Sequence, residues 1–372
     1  MTLRRVLGHI GLATLLSMGA SAQAQIKIGQ TAGFSGQVAA GVKEITDGAK
    51  LYFDTVNAKG GVHGQKIELV SLDDQFDPKL AAENARKLIE EQQVLAMFLT
   101  RGTPHTQAIV PLLDKHGVVL VAPSTGAMAL HQPVLKYVFN VRATYQIEAE
   151  KAVKHLASIG MTRIAVLHSD DSFGADGVAG AQKGLANAKL TPVVLEKFER
   201  AKPEFTALAG TIAKANAQAV LMVASAEAVS KAIEALRGAG SNAQVVTLSN
   251  NASGGFIKSL GTKAHGVVVT QVYPNERTLT FGLVKEMLEQ AKAHNIPQAS
   301  PAMLEGFAGA KVLVEALRRA GPKPSRDKIH AALEGMGKFD LGGLELGYSP
   351  TDHTGLDFTD LSIISSQGNF RR

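Results

Sequence analysis

The 372-residue chain carries a formal net charge of +6 and contains no cysteine. It therefore forms no disulfide bond, and burial of apolar side chains has to stabilise the fold. No run of lysine and arginine suggests a nucleic-acid-binding arm, so the positive excess is interpreted as general surface charge. The length suggests two domains rather than one.

Residues 1–24 have the parts of a secretory signal peptide. Arg4 and Arg5 supply the positive start, residues 6–18 are mostly apolar, and the frames A-S-A and A-Q-A within 20–24 predict cleavage near residue 22 or 24. A transmembrane anchor is the alternative, but the apolar run is shorter than the ~20 residues that cross a bilayer. No cysteine follows, which argues against a lipid anchor. We expect a soluble protein outside the cytoplasm, without direct membrane insertion.

The segment 57–78, N-A-K-G-G-V-H-G-Q-K-I-E-L-V-S-L-D-D-Q-F-D-P, contains several structural signals in sequence. Gly60 and Gly61 suit a helix C-terminus, because glycine adopts positive φ without a steric clash. A buried strand is predicted at 67–72. Its acidic loop contains Asp73, Asp74 and Asp77. These aspartates suit a cation site or an acid/base pair, but we favour a solvated loop that complements the dipole of the next helix.

Short apolar runs alternate with helix-length amphipathic segments along the rest of the chain. The predicted strands are 26–31, 66–72, 94–99, 118–122, 163–168, 191–198, 219–223, 244–248 and 266–270. The predicted helices are 43–57, 78–91, 106–115, 147–158, 173–188, 203–215, 228–238, 279–293, 302–320 and 326–335. The rhythm runs twice, over 26–142 and 145–271, before a strand-rich end from 337. This pattern predicts an α/β fold with two Rossmann-like parallel-sheet lobes.

Motifs that would indicate an enzyme or a cofactor site are absent from the sequence. The segment 36–43 resembles a phosphate-binding loop, but a valine separates its glycine from Lys43 and no Ser or Thr follows. There is no G-x-G-x-x-G, H-E-x-x-H or G-x-S-x-G, and the histidines show no metal-binding spacing. We therefore predict no catalytic residue, no cofactor and no metal.

Several segments together carry a resemblance to a known family. They are G-Q-T-A-G-F-S-G at 29–36, the two halves of 57–78, T-P-H-T-Q at 103–107, V-A-P-S-T-G-A at 121–127, R-I-A-V-L-H-S-D-D-S-F-G at 163–174 and E-F-T-A-L at 204–208. In order and spacing they resemble the periplasmic leucine/isoleucine/valine-binding proteins. These are the substrate-binding components of ABC importers for branched-chain amino acids and related small molecules.

The resemblance implies a type I periplasmic-binding fold, with a hinged cleft between two lobes that close on a ligand. Lobe one is expected at 25–143 plus 273–350, and lobe two at 144–272 plus 351–372. The expected partners are a small-molecule ligand and the permease subunits of an inner-membrane ABC importer, and the expected form is a periplasmic monomer. A free-standing ligand sensor of the amide-sensor type, with the same fold, is the alternative.

In lobe one, the resemblance assigns the ligand's polar head to two loops. Thr103 matches a family hydroxyl before a helix, where free N–H groups attract anions; a helix N-cap is the alternative role. Ser124 matches a position that contacts the ligand through a backbone carbonyl, with Thr125 beside it. Gly126 falls where amino-acid binders carry threonine, and turn chemistry alone also accounts for this loop. Ser35 is expected near the cleft mouth.

Four further residues are expected at the cleft. Arg101 would bind a ligand carboxylate with two hydrogen bonds, or else form an ion pair with an aspartate of 73–77. Tyr145 marks the first crossover, where it lines either the pocket or the hinge. Phe173 falls where leucine binders carry tyrosine and either packs on the ligand or belongs to the core. Ser225 replaces a frequent aromatic residue and leaves more room.

The segment after the 244–248 strand departs from the family. Amino-acid binders place a glutamate there for the ligand's ammonium group, whereas this chain has Ser249 and Asn250. Glu227, two residues after Ser225, is a substitute that could swing in, but its spacing does not match. Because a buried ammonium without a counter-charge is costly, the sequence favours a carboxylate or amide ligand. Phe76 and Gly102 stand where many family members join two loops by a disulfide.

Overall fold

The computed structural model describes residues 25–372, so the predicted signal peptide lies outside the described residues. Two separate sheets of mainly parallel strands form the two lobes, and a short hairpin stands apart from them. The predicted α/β fold class is thereby confirmed. No helix within residues 25–372 combines the length and the apolar character that a membrane span requires.

The first sheet has the strand order β2-β1-β3-β4-β5, and all of its pairs are parallel. Its strands are β1 (Ile26–Ala32), β2 (Ile67–Asp73), β3 (Ala96–Phe98), β4 (Val119–Val121) and β5 (Val138–Phe139). The sequence did not predict β5, because a strand of two residues leaves no periodic signal.

The second sheet has the order β14-β13-β10-β9-β8-β6-β7. Its parallel strands are β6 (Ile164–Ser169), β7 (Val194–Phe198), β8 (Ala219–Val223), β9 (Gln244–Thr247) and β10 (Val268–Gln271). From the chain end, β13 (Asp360–Ile364) and β14 (Phe370–Arg371) add antiparallel strands at one edge. The separate hairpin is β11 (Gly337–Asp340) with β12 (Glu345–Tyr348).

Helices cover the faces of both sheets. They are α1 (Ala39–Ala58), α2 (Pro78–Arg86), α3 (Thr103–His116), α4 (Tyr145–Ser158), α5 (Ser172–Asn187), α6 (Thr206–Lys214), α7 (Ala226–Gly238), α8 (Gly254–Leu260), α9 (Gly282–Ala293), α10 (Pro301–Ala320) and α11 (Arg326–Glu334). The sequence did not predict α8, which begins with two glycines. Ordinary caps start several helices: the side chains of Thr144, Asp171 and Ser225 accept backbone N–H groups at the starts of α4, α5 and α7.

Each sheet has its own apolar core. The core of the first sheet includes buried residues of α1, α9, α10 and α11, with Phe98, Leu304, Phe307 and Ile329 among them. The second sheet is packed on its two faces by separate clusters, one of which contains Phe256 and Phe370. Helices α9–α11 thus pack on the first sheet, while β13 and β14 extend the second. The residue boundaries of the two predicted lobes stay a prediction.

Helices α1 and α10 pack so closely that reciprocal glycines are required. A Cβ atom on Gly48 would lie 2.0 Å from the Met303 carbonyl oxygen, and one on Gly306 would lie 1.7 Å from the Ile45 carbonyl oxygen. No real Cβ approaches a backbone atom at these distances, so either side chain would force the helices apart. This contact fixes α1, and with it the loop that precedes α1 at the cleft.

We therefore expect Gly48→Ala to destabilise the protein by about 1–3 kcal/mol, the usual cost of overpacking a well-filled contact. Gly210, within α6, is the matched control because no atom lies within 4 Å of the position of its Cβ. There, alanine should stabilise the helix by about 0.5–1 kcal/mol. Urea denaturation of both variants measures the two effects. Equal effects of the two substitutions would contradict the packing argument.

Candidate functional site

The carboxyl ends of the parallel strands in both sheets face each other across a cleft. Open α/β sheets bind ligands at this edge, where neighbouring strands connect in opposite directions. An inner cavity of about 20 Å³ lies here, enough for about one water molecule. It is lined by Val38, Phe76, Arg101, Gly102, Tyr145, Phe173, Arg200, Ser225 and Asn250. Beside it, a groove of about 350 Å³ shares Val38, Arg101 and Asn250 with the cavity.

Arg101 connects the two lobes across this cleft. Its side chain is only 5% exposed. One guanidinium nitrogen donates to the Ser124 hydroxyl at 2.8 Å, and the other donates to the Asn250 carbonyl oxygen at 2.7 Å. Burial lowers the pKa of Arg101. Arg101 does not form the alternative ion pair with an aspartate of 73–77, since both of its side-chain hydrogen bonds go to neutral oxygens.

The loop hydroxyls in lobe one form two short relays. Ser124 donates to the Glu305 carboxylate at 2.7 Å, and the Thr103 and Thr125 hydroxyls lie 2.8 Å apart. Thr103 is the first residue of α3, and Gly102 occupies the cap position, so the alternative role of Thr103 as an N-cap is wrong. All of these side chains are buried. A ligand oxygen that binds here has to share these hydroxyls with their present partners.

Gly126 is glycine because the first crossover passes against it. A Cβ at this position would lie 2.6 Å from the Ala143 carbonyl oxygen and 2.9 Å from the Tyr145 nitrogen. The Tyr145 N–H also donates to the Gly126 carbonyl oxygen at 2.8 Å. A threonine like that of the amino-acid binders would collide with this crossover, so its absence follows from the local backbone path.

Aromatic side chains form the walls of the inner cavity. Tyr145 and Phe173 meet edge to face, with ring centroids 4.9 Å apart. The Arg200 guanidinium from lobe two lies 5.3 Å from the Phe76 ring centroid in lobe one and 5.5 Å from that of Phe173. Asp171 pairs with Arg200 and holds it in place. Phe173 packs in a core cluster with Tyr145 and also lines the cavity, so both of its expected roles are compatible.

A buried ion pair stands beside the segment that lacks the family glutamate. Glu148 of α4 pairs with Arg142 and accepts from the Ser249 N–H at 2.8 Å and from the Ser249 hydroxyl at 3.0 Å. Burial alone would lower the pKa of Arg142, but the facing Glu148 carboxylate raises it. The Ser249 hydroxyl is also 2.7 Å from Arg142. Its hydrogen-bonding capacity is thus taken up by these two side chains, and Ser249 does not line the cavity.

The remaining predicted residues occupy three different settings. Asn250 donates from its amide to the Ala224 carbonyl oxygen at 2.9 Å, while its amide oxygen has no partner in the described part of the chain. Ser225 donates to Gln37 of the other lobe at 2.7 Å. Ser35 is exposed and lines neither the cavity nor the groove.

Phe76 and Gly102, the positions of the family disulfide, do meet in space. A Cβ on Gly102, whose φ is +92°, would lie 3.0 Å from the Phe76 ring. The His105 ring stacks on the Phe76 ring, with the two ring centroids 4.2 Å apart. Burial lowers the pKa of His105 to about 4, so the ring stays neutral at pH 7. An aromatic stack thus joins the two loops without a covalent bond.

Sequence reasoning missed four charged residues of the site: Arg142, Glu148, Arg200 and Glu305. Each belongs to a segment far along the chain from the loops that it supports. Glu148 follows the cap residue Thr144 by one helical turn, and Glu305 lies in the first turns of α10, so both looked like ordinary charges near a helix start. Among residues 25–372, no group of three or more His, Cys, Asp or Glu is arranged to hold a metal ion.

Two α/β lobes that enclose a small aromatic and polar cleft define a solute-binding protein of the type I periplasmic fold. The family model described as periplasmic binding protein matches residues 25–358. The chain belongs to this family, within its leucine/isoleucine/valine-binding group. It is a binding protein and not an enzyme.

Three relatives illustrate the similarity. The Leu/Ile/Val-binding protein homolog 3 of Brucella melitensis is 25% identical, with 93% of each chain covered. The leucine-specific-binding protein of Salmonella typhimurium is 23% identical, covering 92% of this chain and 94% of that one. The crystal structure of a possible leucine/isoleucine/valine-binding protein from Rhodopirellula baltica matches with a TM-score of 0.85 and 27% identity, over 95% of this chain and 98% of that one.

Asp74 holds the loop that contains Phe76 through hydrogen bonds. It is fully buried, accepts the Phe76 N–H at 2.9 Å and accepts the Thr31 hydroxyl at 3.1 Å. Burial raises the pKa of Asp74 to about 6. The folded state therefore favours the protonated carboxyl. The resulting stabilisation is complete below pH ~4, near the ordinary value for an unfolded aspartate, and is lost as the pH rises through about 6.

We expect Asp74→Asn to abolish the loss of stability that ionisation of Asp74 causes as the pH rises. Between pH 4 and pH 7, the free energy of unfolding of the variant should rise relative to that of the wild type by up to about 3 kcal/mol. Because both proteins keep His105 and the other titrating groups, their difference isolates Asp74. Denaturation at both pH values measures it, with the exposed Asp54→Asn as control. A difference that does not change between the two pH values would contradict the account.

Proposed function

We propose that this chain is the periplasmic substrate-binding component of an ABC importer and that it captures a small carboxylate-bearing molecule between its lobes. The observation that carries the proposal is Arg101, a buried cation at the boundary of cavity and groove whose hydrogen bonds go to a hydroxyl and a carbonyl. A charge removed from water is costly unless an opposite charge compensates it. A ligand carboxylate would supply that charge.

The other two arginines near the cavity already have carboxylate partners. Arg142 pairs with Glu148, and Arg200 pairs with Asp171. Glu305 does reach the Arg101 loop, but it accepts its hydrogen bond from Ser124 and so acts on Arg101 through that hydroxyl. Arg101 is therefore the group best suited to bind an anion, and the planar guanidinium matches a carboxylate with two parallel hydrogen bonds.

The acids are poorly placed for a ligand ammonium group, for the same reason. Glu148 is occupied by Arg142, and Glu305 accepts from Ser124 and lines neither the cavity nor the groove. Glu227 does line the groove, but it is half exposed to solvent and pairs with Lys231 on the same helix. A ligand without an ammonium, such as an organic acid or an acid with an amide group, therefore fits better than a free amino acid. The relatives named for leucine, isoleucine and valine make a branched-chain amino acid the family-level alternative.

The side chains that line the cavity and the groove indicate what kind of group the ligand carries besides its carboxylate. Phe76, Tyr145 and Phe173 present aromatic surface to the inner cavity, which suits an apolar or planar group next to the carboxylate. Because the cavity has room for about one water molecule here, such a group would enter only as these walls move apart. The adjoining groove adds Gln37, Ser230 and other polar side chains, so a hydrogen-bonding substituent would be accommodated there. We infer that Ser225, Thr103, Thr125 and the Asn250 amide contribute contacts once the carboxylate is bound at Arg101.

Closure is the proposed mechanism of capture. A ligand shifts the equilibrium toward closed lobes only if it binds the closed form more tightly than the open form. A carboxylate bound at Arg101 would meet this requirement, because the guanidinium contacts both lobes and the ligand would reach both only in the closed form. The closed surface would then be recognised by the permease. A monomer in the periplasm is the expected form, and a free-standing sensor of the same fold stays the alternative.

Three ligands of one shape test the proposal: 4-methylpentanoate, leucine and leucinamide. The first has the carboxylate without the ammonium, the second has both, and the third has only the ammonium. At 100 times its dissociation constant a ligand adds about 2.7 kcal/mol of stability. We expect thermal unfolding of refolded protein to show the largest stabilisation with 4-methylpentanoate and none with leucinamide. Stabilisation by leucine alone would contradict the absence of an ammonium site.

The substitution Arg101→Gln should weaken carboxylate binding by at least about 30-fold, since loss of one partner in a buried charge pair costs about 2–5 kcal/mol. The ligand-free variant should unfold at or above the wild-type temperature, because a buried charge is removed. Calorimetric titration with 4-methylpentanoate measures the first effect. The control is Arg163→Gln, an exposed arginine at the start of β6. Full affinity in the Arg101 variant would rule out this binding mode.

A further inference from the structure

Glu44 joins the two lobes at the edge of the groove, which its partner Gly255 lines. This residue lies on α1, which packs on the first sheet, and its carboxylate accepts the N–H groups of Gly254 at 3.0 Å and Gly255 at 2.7 Å. Those glycines begin α8, which packs with the second sheet. Glu44 lines neither the inner cavity nor the groove beside it. The contact therefore does not require a ligand atom.

The carboxylate is held in place from its own lobe. Ser300, the cap residue of α10, donates its hydroxyl to Glu44 at 2.6 Å. Since α10 is locked to α1 through Gly48 and Gly306, Ser300 and Glu44 belong to one rigid unit. Two backbone N–H groups of the other lobe thus meet an acceptor that is already oriented, and little side-chain freedom is lost when they bind.

The backbone approach at this point also requires a glycine. A Cβ on Gly255 would lie 2.4 Å from the Cβ of Ala40 on α1, whereas one on Gly254 would lie 3.5 Å from its nearest neighbour, the Glu44 carboxylate. At position 255, only glycine allows α8 to approach α1 this closely, whereas position 254 tolerates a methyl group. Shape and charge at the same spot both favour close contact between α1 and α8.

We propose that Glu44 is a positioning residue for ligand capture: with Gly255 it forms a clasp that holds a share of the molecules closed before any ligand binds. A ligand that meets molecules already closed binds with higher apparent affinity, because its apparent dissociation constant equals the intrinsic one divided by the competent fraction. The clasp goes beyond the carboxylate proposal, since it would act whatever the ligand is.

The absence of cysteine makes the test direct. The substitutions Lys79→Cys and Lys202→Cys, at exposed positions that follow the cavity residues Phe76 and Arg200 in sequence, accept spin labels without background. Distance distributions of the refolded, ligand-free protein then report open and closed lobes. We expect Glu44→Gln to move the closed-to-open ratio toward open by about tenfold, the loss expected for charge-assisted hydrogen bonds. Asp47→Asn, on the next turn of α1, should leave the ratio unchanged.

Gly255→Ala tests the same clasp by shape alone, with Gly254→Ala as its matched control. We expect the first to shift the distances toward open lobes as Glu44→Gln does, and the second to keep the wild-type distribution. Unfolding temperatures of all variants show whether each lobe stays folded. If Glu44→Gln and Gly255→Ala both keep the wild-type distribution, the clasp is overturned. Neither outcome depends on whether carboxylates bind, so a failure of the carboxylate proposal would be seen separately.

Discussion

In the proposed mechanism, a single buried guanidinium connects the architecture of this protein to its capacity to bind a solute. Arg101 leaves the carboxyl end of β3 in one lobe and reaches the backbone of Asn250 in the other. Its charge is removed from water, and neutral oxygens compensate it only in part. The arrangement is stable because Ser124 and Glu305 surround the cation from its own side. In the proposed mechanism, a ligand carboxylate completes the compensation of this charge when the lobes close.

The surrounding charges make Arg101 distinctive. Two other arginines near the cavity have their own carboxylates, Glu148 for Arg142 and Asp171 for Arg200, and these pairs organise the protein rather than wait for a ligand. The Arg142–Glu148 pair fixes Ser249, while Arg200 lies between aromatic rings of both lobes. Of these three arginines, only Arg101 has no carboxylate in direct contact, which is why we propose it as the group that binds an anion, with the aromatic walls beside it.

Local patterns in the sequence were sufficient for the fold but not for the site. Strands such as 118–122 and 219–223 are continuous apolar runs, and their alternation with amphipathic helices requires parallel sheets. The element α8 escaped because Gly254 and Gly255 suggest a turn, and only the approach of α1 explains them. Glu305 and Glu148 escaped because their neighbours in space are distant in sequence. The loop positions of Arg101 and Phe173 were foreseen through family resemblance, whereas the partners of Arg101 required the structure.

A crystal structure of the mature protein with a bound carboxylate, 4-methylpentanoate in the first instance, tests the central claim most directly. The account predicts closed lobes, a carboxylate within hydrogen-bond distance of the Arg101 guanidinium, and the alkyl group against Phe173 and Tyr145. A carboxylate that faces solvent, or that binds elsewhere while Arg101 keeps only its bonds to Ser124 and Asn250, would contradict it. In that case Arg101 would serve only to join the lobes.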